Sequence, residues 1–460
     1  MNAALRPMPG PIPDPAGAYD LAQLGYAEHE FWLQGTAESY RLGGDRSRDG
    51  RWTARPSDAA PFTTRVLVRR PAADAKFSGT VVVEWLNVSG GLDAAPDWMV
   101  THTHLIRSGH AWVGVSAQRA GIEGGGLVES MHLKKSHPER YAALSHPGDA
   151  WSFDIFSQAG RALLAEPGIL PRSPDGRPVR LLASGQSQSA AFLVTYLNAI
   201  DPLAQVYDGV LVHGRPGAGA ALDTGFRPAA ATEGGGEQIR NDLRIPVIVL
   251  QSETDVTLLG SGRAGQPDSD LLRNWEIAGA AHADTYLLFA SGQDDGALPA
   301  GRLADLIRPT SDILMGHTES PVNSGPQHHY VACAAIAQLD AWVAGRAKPP
   351  SAPRLEVTSD GRDCIRDGLS IALGGIRTPW TDVPVAILSG TGQSGELFAF
   401  LFGTTRGLDA ADLARLYPGG KADYLAKFER SLDETIEAGF LLAEDRAEIL
   451  AVTDAAWPGS

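Results

Sequence analysis

The apolar run Val179-Arg-Leu-Leu-Ala183 leads straight into Gly185-Gln-Ser-Gln-Ser189, and a helical pattern takes over at once and continues to Ile200. A strand that reverses into a helix within about two residues strains its backbone, so the flanking positions need Gly or other small side chains, and the central Ser stands exposed at the top of a sheet. The segment therefore predicts a nucleophile elbow, with Ser187 as the candidate nucleophile. A serine hydroxyl is a weak nucleophile at neutral pH; it needs a His to take its proton and an acid to hold that His in the right tautomer.

The rest of the chain supplies a sheet for such an elbow. Strands are predicted at Thr63–Arg70, Gly79–Leu86, Ala111–Ala117, Val179–Ala183, Gly209–His213, Ile245–Gln251 and Asn274–Ile277. Several are continuous apolar runs, as strands covered on both faces must be. Helical patterns at Pro96–Ser108, Ser152–Ala165, Ser187–Ile200 and His329–Ala344 alternate with them, which implies an α/β protein: a mostly parallel sheet with helices on both faces. Two connections are too long for simple turns, about 119–151 with Gly124-Gly-Gly126 and about 214–244 with Gly234-Gly-Gly236, and are read as lid-like insertions near the carboxyl ends of the strands. Neither Gly triplet has a phosphate-cradle context. On this reading residues 1–60 are an N-terminal extension, 61–348 the core, and 349–460 a C-terminal extension packed on the core. In that extension Asp409 is the predicted N-cap of a helix at Ala410–Leu416. Tyr424, Leu425, Phe428, Leu432, Ile436 and Phe440 form the buried stripe of a longer helix over Ala422–Leu442.

Composition narrows the function classes. The 460 residues carry 39 Lys plus Arg against 54 Asp plus Glu, a net charge of −15, which argues against non-specific nucleic-acid or anionic-membrane partners. There are two cysteines, Cys333 and Cys364, so a disulfide framework and a Cys-based zinc site are excluded and one bridge is left open. His102 and His104 lie two apart on a helix and point to different sides, and no His/Asp/Glu cluster has ligand spacing, so no metal and no cofactor is expected. With no basic-then-apolar start and no apolar stretch of about 18 residues, the chain is expected to be soluble and cytoplasmic. Oligomeric state is not legible.

In sheets that carry such an elbow, the acid and the His follow the nucleophile in that order. The strand ending at Gln251 opens into Ser252-Glu253-Thr254-Asp255; Asp255 has the better offset for the acid and Glu253 is the alternative. The strand ending at Ile277 opens into a small-residue loop that presents His282. An anionic tetrahedral intermediate needs two N–H donors. One is expected from Gln188, first residue of the helix, and the other from Asn87 or Val88 in the loop Leu86–Gly91. Trp85 and His213, at strand ends, are expected to line the substrate pocket. With Trp98, Trp151 and Phe226 they suggest a fairly apolar small-molecule substrate. His328 and His329 are read as helix-starting residues with a minor claim on the site.

The runs Val83-Glu-Trp-Leu-Asn-Val-Ser-Gly-Gly91, Ala111-Trp-Val-Gly-Val-Ser-Ala-Gln118, His146-Pro-Gly-Asp149, Asp154-Ile-Phe-Ser-Gln158 and Gln251-Ser-Glu-Thr-Asp255 resemble the bacterial alpha/beta-hydrolase domain proteins of esterase-like type. Gly374-Gly-Ile-Arg-Thr-Pro379 and Leu416-Tyr-Pro418 extend the likeness toward the C-terminus. The resemblance implies an alpha/beta-hydrolase fold and serine hydrolase chemistry. Ser189 departs from the superfamily's second elbow Gly. The expected function is hydrolysis of carboxylic esters or lactones through a Ser-His-Asp triad. The alternatives are acyl transfer on the same triad and a non-catalytic hydrolase-fold binding protein.

Overall fold

The computed structural model describes residues 3–13, 17–126, 131–173, 176–224, 235–314, 316–395 and 398–458. Nine strands form one sheet in the order β1-β2-β3-β5-β4-β6-β7-β8-β9. They are β1 (Ala4–Pro7), β2 (Tyr26–Leu42), β3 (Ala54–Pro71), β4 (Thr80–Trp85), β5 (Ala111–Val115), β6 (Arg180–Gln186), β7 (Gly209–His213), β8 (Val247–Ser252) and β9 (Leu272–Ile277). From β5 to β9 all pairings are parallel, whereas β1, β2 and β3 run antiparallel and β3 joins β5 antiparallel.

The apolar runs read as doubly covered strands are so. Every residue of β4 is buried, with Val81, Val83 and Trp85 in the core on one face and Val82 in the core on the other. The single charge in that run, Glu84, accepts hydrogen bonds from the N–H groups of Asp97 and Trp98 at 2.9 Å and from Trp112 Nε1 at 2.8 Å. It thereby caps the helix Pro96–Arg107 from beneath, supplying an anion where a helix start offers unpaired N–H donors. Burial pushes its carboxyl well above the usual range, and Asp97 adds to the shift.

Residues 1–60 are not an extension. They contribute β1, β2 and part of β3, and β2 is the long partner of β3 in the main sheet. Sequence reading passes over β2 because Glu28 and Glu30 break its apolar alternation. Both are neutralised by other segments: Glu28 pairs with Arg69 at 2.6 Å, and Glu30 with Arg140 at 2.5 Å and Arg65 at 3.6 Å. The C-terminal part contributes side chains to the core. Tyr424, Phe428 and Leu432 of the helix Gly420–Glu437 join Tyr330, Ile336 and Trp275 in one apolar cluster. Asp409 caps Ala410–Leu416, its side chain accepting from Asp412 N. Cys333 and Cys364 are both buried and free, so the bridge left open by the sequence is not formed.

The first long insertion is anchored mainly on the antiparallel strands: Tyr141 donates to Glu30 at 2.8 Å, and Leu133, Tyr141 and Leu144 pack with Met8. In the second, Ala220 N–H bonds Ala191 O at 2.9 Å and Arg46 clasps Glu237 at 2.5 Å. Residues 127–130 and 225–234, which include Phe226, lie outside the described residues.

A chain starting at Pro61 loses β1, β2 and the first part of β3 and uncovers Phe31's and Leu33's partners. It is expected to be aggregated or unfolded by size-exclusion chromatography and circular dichroism, whereas removal of a mere extension would leave a monodisperse, folded protein.

Candidate active site

Parallel pairing brings the carboxyl ends of β4, β6, β7, β8 and β9 to one rim, since Glu84 is opposite Ser184, Gln186 opposite His213, and Ser252 opposite Ile277. The loops that leave this rim carry the candidate residues.

Ser187 sits between β6 and the helix Gln188–Thr195 at φ 63° and ψ −118°. A non-Gly residue at positive φ is strained, and such strain marks functional turns. The turn is possible because Gly185 lacks a side chain: a Cβ there would lie 3.0 Å from Ser189 Cβ and 3.1 Å from Leu193 Cδ1. Ser189 fits the second small position, its hydroxyl donating to Leu86 O at 3.2 Å. Ser187 N–H is fixed by His213 O at 2.9 Å, and Asn87 Nδ2 holds Gln186 O at 2.9 Å. The Ser187 side chain is half-buried.

His282 and Asp255 meet directly, Nδ1 to Oδ1 at 2.5 Å, with Asp255 fully buried. The other carboxylate oxygen accepts from Ser252 N at 2.6 Å and Ser252 Oγ at 2.8 Å. Burial by itself would raise the Asp255 carboxyl; the His282 ring and the Ser252 donors outweigh it and hold the group below the usual carboxylate range. Gly214, at φ +60°, leaves room for the ring, because a Cβ there would stand 3.1 Å from His282 Cε1.

Glu253 faces elsewhere. It is fully buried and accepts from Gly279 N at 2.6 Å and Gly390 N at 2.9 Å, with Arg366 Nη2 at 3.2 Å. It ties the His282 loop to the C-terminal segment, so the alternative acid is a clamp. Thr254 completes the loop's work: its hydroxyl accepts from His282 N at 3.1 Å and donates to Gly390 O at 2.6 Å.

Of the two candidate N–H donors near β4, Asn87 is occupied, its N–H bonding Ala94 O at 2.8 Å in a tight bridge. Val88 N–H points the other way, to the side-chain oxygen of Gln188 at 3.2 Å. Gln188 N–H, first in its helix, has no intrahelical acceptor.

Trp85 does not line a pocket. Its ring is fully buried among Phe153, Phe156 and Phe192 on the core face, and its N–H bonds Gln118 Oε1 at 3.2 Å. Trp98 is likewise core, against Trp112 and Arg69. His213 is buried in a polar chain: Nδ1 bonds Asp97 at 2.7 Å and Nε2 bonds His328 Nε2 at 2.6 Å. Burial, then His213, pushes His328 down to about 3, so it stays neutral at ordinary pH. Asp97, His328 and Gln186 are the site neighbours that sequence reading missed or undervalued. No local signal marks them, because each is aimed by a fold contact far away in the chain. Among the described residues no group of three or more His, Cys, Asp or Glu is arranged to hold a metal ion, and no helix is long and apolar enough to cross a membrane. A cleft of about 630 Å³ lies elsewhere, between the start of the chain, β2, Arg70 and Pro167–Ile169.

Residues 5–451 match the family model described as alpha/beta hydrolase domain. No curated protein matches the chain. Among solved structures, a fungal esterase from Rhizomucor miehei is similar at 12% identity and TM-score 0.33, covering 68% of this chain and 86% of its own. A putative dienelactone hydrolase from Klebsiella pneumoniae follows at 14% identity and TM-score 0.29, covering 58% and 93%. A serine hydrolase without a lid from Xanthomonas campestris is similar at 12% identity and TM-score 0.28, covering 52% and 83%.

Two residues past His282, Asp284 is buried, and that burial raises its carboxyl to about 7. The unfolded chain ionises this group near pH 4. Native stability from it therefore falls as pH rises from about 4 to about 7 and is level above. Asp284→Asn is expected to be more stable than wild type at pH 8, on the order of a few kcal/mol. Thermal melts should show the difference closing toward pH 4.

Proposed function

Because the chain belongs to the alpha/beta-hydrolase domain family over residues 5–451, we propose that it is a serine hydrolase acting on carboxylic esters or lactones. The observation that carries this reading is the buried 2.5 Å bond from His282 Nδ1 to Asp255, on the same rim as a serine held at φ 63°. A structural Asp–His pair would not require a strained serine on the same rim.

In this mechanism the Asp255 bond keeps the proton on His282 Nδ1 and leaves Nε2 as the base. Ser187 Oγ attacks the carbonyl carbon while its proton passes to Nε2, and the carbonyl π electrons move onto oxygen. Val88 N–H and Gln188 N–H receive that oxyanion, the substrate oxygen replacing the Gln188 side-chain oxygen that Val88 now holds. Collapse expels the alkoxide, which takes the proton from Nε2 and leaves as the alcohol. Water then attacks the acyl-enzyme by the same steps and releases the acid. The wall formed by the first insertion lies close, since Gly121 and Gly126 abut Val88 and Gly91.

A fluorophosphonate probe is expected to label wild type and Ser189→Ala but not Ser187→Ala, with hydrolysis of p-nitrophenyl acetate and butyrate lost in step. Asp255→Asn, which permits the wrong His tautomer, should lower kcat by about 10⁴-fold. An unlabelled, inactive wild type would leave a hydrolase-fold binding protein as the better reading.

A further inference from the structure

The last residue of β6, Gln186, is buried and immediately precedes the strained serine. Its carboxamide nitrogen lies 3.1 Å from His282 Nε2 and 3.4 Å from the carbonyl oxygen of the same residue. One amide nitrogen carries two protons, so it can serve both acceptors, provided that Nε2 bears none. The Asp255 bond at Nδ1 imposes the same condition from the other side of the ring.

We propose that Gln186 is a positioning residue for His282: its N–H groups hold the ring at Nε2 and at the backbone, and so select the tautomer in which Nε2 is unprotonated. This rests on the hydrolase reading for its use in catalysis, but the hydrogen-bond arrangement itself does not.

A Cβ at Gly214 would stand 3.4 Å from Gln186 Nε2, an ordinary contact, so the carboxamide lies against this residue's backbone. Asn87 anchors the Gln186 carbonyl, which fixes the side chain's point of departure. In the proposed mechanism the Ser187 proton goes to the Nε2 lone pair that accepts from Gln186, so the Gln186 bond opens as that proton arrives. A carboxamide, unlike a carboxylate, carries no charge that would hold the imidazolium tightly.

The ionisable groups around His282 are Asp255 at Nδ1, His328 from the helix Gln327–Val343 with His213 and Asp97 behind it, and Asp284 on its own loop. Among the described residues none of these groups hydrogen-bonds Nε2, so a change at position 186 acts on that nitrogen directly.

The test is ¹⁵N NMR of histidine-labelled full-length protein, with His282→Gln used to assign the ring signals. In wild type at pH 7.5, His282 should show a protonated Nδ1 and an unprotonated, hydrogen-bonded Nε2. In Gln186→Met, which removes the donors and keeps the bulk, the Nε2 signal should move downfield toward that of a nitrogen with no donor. In Gln186→Glu, a carboxylate facing Nε2 should leave both nitrogens protonated at that pH. The acidic limb of any ester hydrolysis should then rise by about one to three pH units. Identical His282 signals in wild type, Gln186→Met and Gln186→Glu would overturn the proposal. If the signals behave as expected while wild type neither hydrolyses esters nor takes the fluorophosphonate, the hydrolase reading fails and the role of Gln186 in holding the ring stands.

Discussion

The hydrogen bond between Asp255 and His282 is made between two buried side chains, and much of the rim is organised around it. A buried carboxylate is tolerated only when its charge is compensated and its oxygens are satisfied. Here one oxygen has the imidazole and the other has two donors from Ser252, the residue that caps the same short helix. Every member of Ser252-Glu253-Thr254-Asp255 is engaged. Ser252 holds Asp255, Glu253 holds the His282 loop and the C-terminal segment, Thr254 holds the His282 backbone, and Asp255 holds its ring. The C-terminal part of the chain is thus a support for the site through Gly390 and Arg366.

The same rule explains the other buried charges. Glu84 is stabilised by two helix-start N–H groups and an indole, Glu30 by Arg140, Arg65 and Tyr141, and Asp340 by Thr80, Arg180 and Arg346. Each ties elements that are remote in sequence. Removing one partner of such a group leaves the other buried and uncompensated, which costs about 3–5 kcal/mol and makes these contacts specific rather than merely favourable.

Much of the fold could be read from the chain because its strands are doubly covered. Continuous apolar runs such as Thr80-Val-Val-Val83 admit few alternatives, and Gly185 with Ser189 fits only a tight reversal. β2 was not legible, because its half-buried Glu28 and buried Glu30 look like loop residues until Arg69, Arg65 and Arg140 arrive from elsewhere. Trp85 misleads in a different way: it ends a rim strand, but the pleat turns its ring into the aromatic core instead of toward the rim.

By itself, then, the sequence determined the parallel sheet, the reversal at Ser187 and the order in which a carboxylate and His282 follow it, since these depend on apolar period, small residues and chain direction. Only the tertiary structure shows which of Glu253 and Asp255 meets His282, which of the Asn87 and Val88 amides is bonded to Ala94, and what Gln186 touches. Neighbours in sequence offer the same chemistry, and what separates them is the direction each group takes and the partner it meets: His282 for Asp255, Gly390 and Arg366 for Glu253, and Ala94 for the Asn87 amide.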